Sequence, residues 1–162
     1  MKKKGFTIIE LIAGLAIFTI IMLSLMSLLG MTIKYNSLNK RTYNSNTNSK
    51  AFFEMLKSSK FLLPSGALKN SIDGEYKVGI DSKIDVKNFT DNLIKYNITG
   101  LNSYKVASGN ADDFQDLGKE GTLGIKIKWD DPKGVYIIES WSWDVGAGEI
   151  SEINRKTYLA PK

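Results

Sequence analysis

Any chemistry in this chain has to be built from carboxylates, amines and hydroxyls, because the sequence contains no histidine and no cysteine. That removes the commonest general base, the thiol nucleophile, the serine–histidine triad and the usual zinc ligands. It also removes disulfides, so packing alone must hold the fold. Three acidic groupings remain. Glu139 and Asp144, in "ESWSWD", come nearest to a carboxylate pair, but their odd spacing puts them on opposite sides of a regular strand. Asp112, Asp113 and Asp116, in "NADDFQD", are oxygen ligands of the kind calcium takes. They lack the calcium-loop spacing and its turn glycine, so they read as a solvated acidic loop. There is no metal-ligand spacing, P-loop, dinucleotide fingerprint or internal repeat, and neither a metal, a cofactor nor an enzymatic activity is expected.

The third grouping is a single residue, Glu10. It heads Leu11–Ile33, 23 residues without a charge, which as a helix span roughly 35 Å and can cross a bilayer. A carboxylate inside such a span costs about 2.5–3.5 kcal/mol near the centre and less near an end. It therefore calls for a partner. Lys2, Lys3 and Lys4 precede the run and place the N-terminus in the cytoplasm and the remainder outside. A cleaved signal peptide has a shorter apolar region, of about 7–15 residues, ending in a small-residue cleavage site. No such site follows this run. A plain membrane anchor fits the length but leaves Glu10 without a purpose.

"KGFTIIE", residues 4–10, resembles the processing motif of type IV prepilins and pseudopilins, and the likeness continues along the apolar run to about Ile33. The motif is specific because its cleavage site precedes the hydrophobic segment. The resemblance implies a cut between Gly5 and Phe6 by a prepilin peptidase, methylation of the new amino terminus on Phe6, and a role for Glu10 as an assembly counter-charge. Cleavage would remove three lysines and expose an α-amino group on Phe6, normally cationic near neutral pH. Glu10 of one subunit could then neutralise that group on a neighbour and fix axial register, as a buried polar residue does in a coiled coil. Major pilins usually carry a glycine where this chain has Thr19 and a proline where it has Ser27. Without that proline the helix should be straighter. The departures point to a low-copy, minor subunit.

The elements that must carry this helix end are less plainly written. Tyr35, Leu38, Thr42, Ser49, Phe52, Phe53 and Leu56 can share one helical face, although "TYNSNTNSK" between them is a poor helix sequence that reads as a weak helix, a bend or a linker. "KAFFEMLKSSKFLLP" regains helical character and should end by Pro64, with a turn at "PSG". Strands are expected around Tyr76–Ile80, at Ile84–Val86 and over "NLIKYNIT" (92–99). "TLGIKIKWD" and "GVYIIESWSWDV" should form a hairpin across "DDPKG", and "KTYLA" an edge strand. The fold class is thus α+β: a long N-terminal helix packed on an antiparallel sheet, as in pilins. The expected segments are a leader (1–5), a membrane and assembly helix (6–33), an extracellular half of that helix (34–63) and a globular head (64–162).

Without Lys2–Lys4 the remaining 19 cations face 17 acids, a weak case for nucleic-acid binding. The basic tail "INRKTYLAPK" adds too few charges to change that. Trp141 and Trp143 suit a core position better than an exposed recognition surface. The resemblance implies as partners other pilins, a prepilin peptidase, a membrane assembly platform and, indirectly, a cytoplasmic assembly ATPase. The expected location is the membrane before assembly and a cell-surface filament after it. The missing cysteines leave no C-terminal disulfide loop, which favours a Gram-positive surface. The alternatives are a pseudopilin of a DNA-uptake or type II secretion system, or an anchored binding module that never polymerises.

Overall fold

The computed structural model describes residues 7–58 and 71–160. The first element, α1 (Ile8–Ser58), is one continuous helix. The expected stop at Pro64 and the turn after it lie outside the described residues. The chain divides into two compact units, one ending at Ser37 and the other beginning at Leu38. In the first, every large apolar side chain from Ile8 to Ile33 is at least 42% exposed. Mean hydropathy reaches 2.5 there, which makes α1 long and apolar enough to cross a membrane. Three hydroxyls in the run donate back one turn: Thr19 to the Leu15 carbonyl at 2.7 Å, Ser24 to Ile20 at 3.0 Å and Thr32 to Leu28 at 2.9 Å. Each is thereby satisfied without water, which is what an apolar surround demands.

In the second unit α1 meets a five-stranded antiparallel sheet ordered β2-β1-β3-β4-β5. The strands are β1 (Gly74–Ile80), β2 (Lys105–Val106), β3 (Gly121–Asp130), β4 (Val135–Asp144) and β5 (Ile153–Leu159). The β3–β4 hairpin forms as its alternation predicts, with Trp129 opposite Tyr136 and Lys126 opposite Glu139. Its turn closes through the Gly134 N–H on the Asp130 carbonyl at 2.9 Å, and Gly134 has φ +62, where a side chain would be strained. "KTYLA" does lie in the edge strand β5. Tyr76, Val78, Leu123, Ile125, Tyr136 and Ile138 are buried on one sheet face, where Phe52, Phe53 and Leu56 of α1 join the same core.

Two of the expected strands are helical instead. Residues 84–86 belong to α2 (Lys83–Ile94), and 92–99 contain its last turn and the start of α3 (Ile98–Asn102). The reason is local: Ser82 caps α2 and Asp85 closes a capping box on the Ser82 N–H at 2.8 Å. Val86, Phe89, Thr90 and Leu93 then form a buried stripe at helical spacing. Phe89 is its centre, with ring centroids 6.1 Å from Phe52, 5.6 Å from Tyr76 and 5.3 Å from Tyr104.

The polar middle of α1 is continuous helix and not a linker. Ser45 and Ser49 are fully buried, and the Ser49 hydroxyl meets that of Ser140 on β4 at 3.1 Å. Arg41 donates to the Val145 carbonyl at 3.0 Å, Asn44 to Asp144 at 3.3 Å, and Arg155 of β5 to Asn46. Asn44, Asn46 and Ser49, residues with poor helix propensity, are retained because each finds a partner on the sheet. Tyr35, placed by spacing on the packing face, is 64% exposed.

Candidate assembly site

α1 begins with a second capping box. The Thr7 N–H and hydroxyl both donate to Glu10 Oε2 at 2.9 Å, and the Glu10 N–H approaches Thr7 Oγ1 at 3.4 Å. The sequence signal is Thr-x-x-Glu at residues 7–10, and its cap geometry was missed in favour of the charge alone. It corrects one inference: Glu10 has a use within its own chain, so a neighbour's counter-charge is not its only reason to be there. A carboxylate in the first turn also faces the positive end of the helix dipole. Gly5 and Phe6 lie outside the described residues.

Beside this cap Gly14 leaves a notch of about 320 Å³ bounded by Glu10, Leu11, Leu15 and Phe18. A Cβ on Gly14 would meet nothing within 4 Å. The notch is apolar apart from the carboxylate, and so can take an apolar side chain that carries a cation beside it.

In the head, the sheet face opposite α1 carries the other candidate residues. Residues 107–120 cross it between β2 and β3. The Glu75 carboxylate, 5% exposed, accepts the N–H groups of Gly109, Asn110 and Ala111 at 2.7, 3.1 and 3.2 Å, and Lys126 approaches it at 2.7 Å. Burial pushes its pKa up, but Lys126 and the N–H groups outweigh that and hold it below the usual carboxylate value. Lys77, whose side chain is 2% exposed, pairs with Asp113 and holds that carboxyl below its usual range. Gly124 of β3 lies beneath Ala111, where a Cβ would be 1.7 Å from the carbonyl oxygen.

The acidic loop residues therefore part company. Asp113 pairs with Lys77, Asp116 accepts the Gly146 N–H at 2.8 Å, and Asp112 is exposed. Among the described residues no three acidic side chains converge as a metal site. Trp143 is fully buried under the Phe114 ring, with centroids 5.6 Å apart, and Trp141 is half-buried on the same face. Glu139 pairs with Lys156 at 2.6 Å, whereas Asp144 turns to Asn44 and Arg41 of α1. These two carboxylates serve separate ion pairs.

Residues 1–26 match the family model of the prokaryotic N-terminal methylation motif, the class III signal peptide of type IV pilins. Proteins carrying that motif are structural rather than catalytic. No curated protein and no solved structure matches the chain. The chain thus carries the N-terminal motif of type IV pilins at the head of a long apolar helix, ahead of an antiparallel α+β head, which together are a pilin-like architecture.

Proposed function

We propose that the chain is a minor subunit of a type IV pilus, a structural and assembly component of an extracellular filament. The observation that carries this reading is the exposed, uncharged helix surface from Leu11 to Ile33, headed by Glu10 and the Gly14 notch. A lipid environment covers such a surface before assembly, and neighbouring helices cover it afterwards. In this reading residues 1–5 are a leader, 6–33 the membrane and assembly helix, 34–63 its extracellular half and 64–162 the head. Prepilin peptidase cuts between Gly5 and Phe6, Phe6 is N-methylated, and its amino group enters a neighbour's notch to meet Glu10. An assembly platform and its ATPase then move the subunit from the membrane, N-terminus inward, into the filament. The absence of the helix-breaking proline at Ser27, together with a helix unbroken from Ile8 to Ser58, supports a minor role.

A second reading has its own support. Because Thr7 satisfies Glu10 within the chain, an anchored head that never polymerises needs no neighbour. Quantitative mass spectrometry of filaments sheared from the cell surface separates the cases. A trace amount beginning at methylated Phe6 is the expected result. Parity with the most abundant pilin refutes the minor role. Complete absence, with the processed protein retained on the cell, transfers the reading to a pseudopilin of DNA uptake or secretion, and an unprocessed chain transfers it to the anchored module.

A further inference from the structure

We propose that a polar cleft beside the head portion of α1 is a binding site for a phosphate-bearing polyol such as a glycerol phosphate unit. The proposal does not depend on whether the chain enters a filament. One wall is a stripe of α1, formed by Lys40, Tyr43, Asn44, Thr47 and Asn48 at helical spacing. It is distinct from the buried stripe of Ser45, Ser49 and Phe52 that packs in the head. The other wall is assembled from three places: Lys83 at the start of α2, Lys119 and Glu120 leading into β3, and Asp144 at the end of β4. The cleft holds about 400 Å³, within the range of small-ligand sites.

The second wall is held by its backbone. The Lys119 N–H donates to Asp81 at 2.6 Å, the Glu120 N–H to the Ile80 carbonyl at 2.8 Å, and Ser82 with Asp85 caps the turn that presents Lys83. The charges are unevenly matched. Asp144 already receives Asn44 and Arg41, whereas the Lys40, Lys83 and Lys119 ammonium groups have no carboxylate within 4 Å among the described residues, Asp81 being engaged by the Lys119 backbone. Three lysines from three parts of the chain thus line the cleft beside Glu120, which is in no ion pair among the described residues. Lysines that line one cavity without carboxylate partners for their ammonium groups suit a compact oxyanion such as phosphate.

The remaining groups decide what the phosphate is attached to. The Thr47 hydroxyl donates to the Tyr43 carbonyl at 2.9 Å, which leaves its oxygen to accept. Asn48 makes no hydrogen bond among the described residues. Carboxamides, a phenol and the Glu120 carboxylate pair with hydroxyls, and Glu120 repels a second phosphate. A polyol carrying one phosphate fits this set better than a nucleic-acid strand, whose charge repeats at every unit. The source is either a soluble or polymer-borne glycerol phosphate or a lipid headgroup, since Lys40 follows the apolar run by only seven residues.

The test uses the full processed chain in nanodiscs of phosphatidylcholine, with amide shifts followed by NMR as glycerol 1-phosphate, inorganic phosphate or a short single-stranded DNA is added. Saturable shifts at Lys40–Asn48 and Lys119–Glu120, tighter for glycerol phosphate than for phosphate, are expected. Lys40→Gln with Lys119→Gln should weaken binding at least tenfold, whereas Lys95→Gln, outside the cleft, should not change it. The same shifts arising only in phosphatidylglycerol nanodiscs, and lost in the double variant, support the site and assign a lipid source. Absence of saturable binding in both settings overturns the proposal. So does equal weakening by Lys95→Gln, or tighter binding of the DNA.

Discussion

Replacing Gly124 by alanine tests how residues 107–120 are held on the sheet. The new Cβ would stand 1.7 Å from the Ala111 oxygen, about half a normal contact distance. Strand β3 cannot give way, because Gly124 is laddered to Lys77 on one side and Trp141 on the other. The covering segment must lift. Lifting it takes Gly109, Asn110 and Ala111 from the Glu75 carboxylate, and hydrogen bonds to a charged group contribute about 1.5–3 kcal/mol each. Rehydration of Glu75, and its retained contact with Lys126, return part of that. A net loss of about 2–4 kcal/mol is expected, in the upper range for overpacking. Urea denaturation of the full chain in detergent micelles reads the loss, and acrylamide quenching of tryptophan fluorescence reads the uncovering of Trp143. A loss below about 0.5 kcal/mol with unchanged quenching would falsify the claim that Gly124 is there to admit Ala111.

The other expectations concern the helix cap, the polar seam and acid. Gly5 replaced by a bulky residue should leave the chain uncut. Glu10→Ala should be cleaved normally yet incorporate poorly into filaments, and Thr7→Val should be milder; wild-type incorporation of Glu10→Ala on immunoblots of sheared filaments removes the counter-charge role. Ser49→Ala leaves the buried Ser140 hydroxyl without its partner and should cost about 1–3 kcal/mol in urea denaturation. Adding Ser140→Ala should recover part of that loss, and full additivity of the two refutes the pairing. Glu75 and Asp113 both have lowered folded-state pKa values, so their contribution is complete above about pH 4.5 and is lost as pH falls through those values. Tryptophan quenching should therefore rise only below about pH 4, and uncovering between pH 7 and 5 contradicts the assignment.

How much of this was legible beforehand depended on the range of the interactions. The hairpin was readable because alternation and a Pro-Lys-Gly turn are nearest-neighbour signals. α2 was missed although its signals are also local: Ser82 and Asp85 form a capping box, and Val86, Phe89 and Leu93 keep helical spacing. Short apolar runs such as Ile84 to Val86 satisfy both periods, and the capping pair had to decide between them. The same pattern at Thr7 and Glu10 was hidden by the prominence of the charge.

The sequence by itself determined the N-terminal reading, since a glycine, a phenylalanine, a glutamate and an uncharged run are defined by order along the chain. Bilayer thickness and charge asymmetry do the rest without tertiary contacts. Only the tertiary structure decided the fate of "TYNSNTNSK". Its helix propensity is poor, and what holds it helical lies about a hundred residues away: Ser140 for Ser49, Asp144 for Asn44, Arg155 for Asn46. Tertiary structure likewise buried Trp143 on the sheet face turned away from α1, because Gly124 lets Ala111 lie against the strand and Glu75 holds the backbone there. Polar pairing across such separations depends on which strands become neighbours, and one-dimensional periodicity carries no record of that.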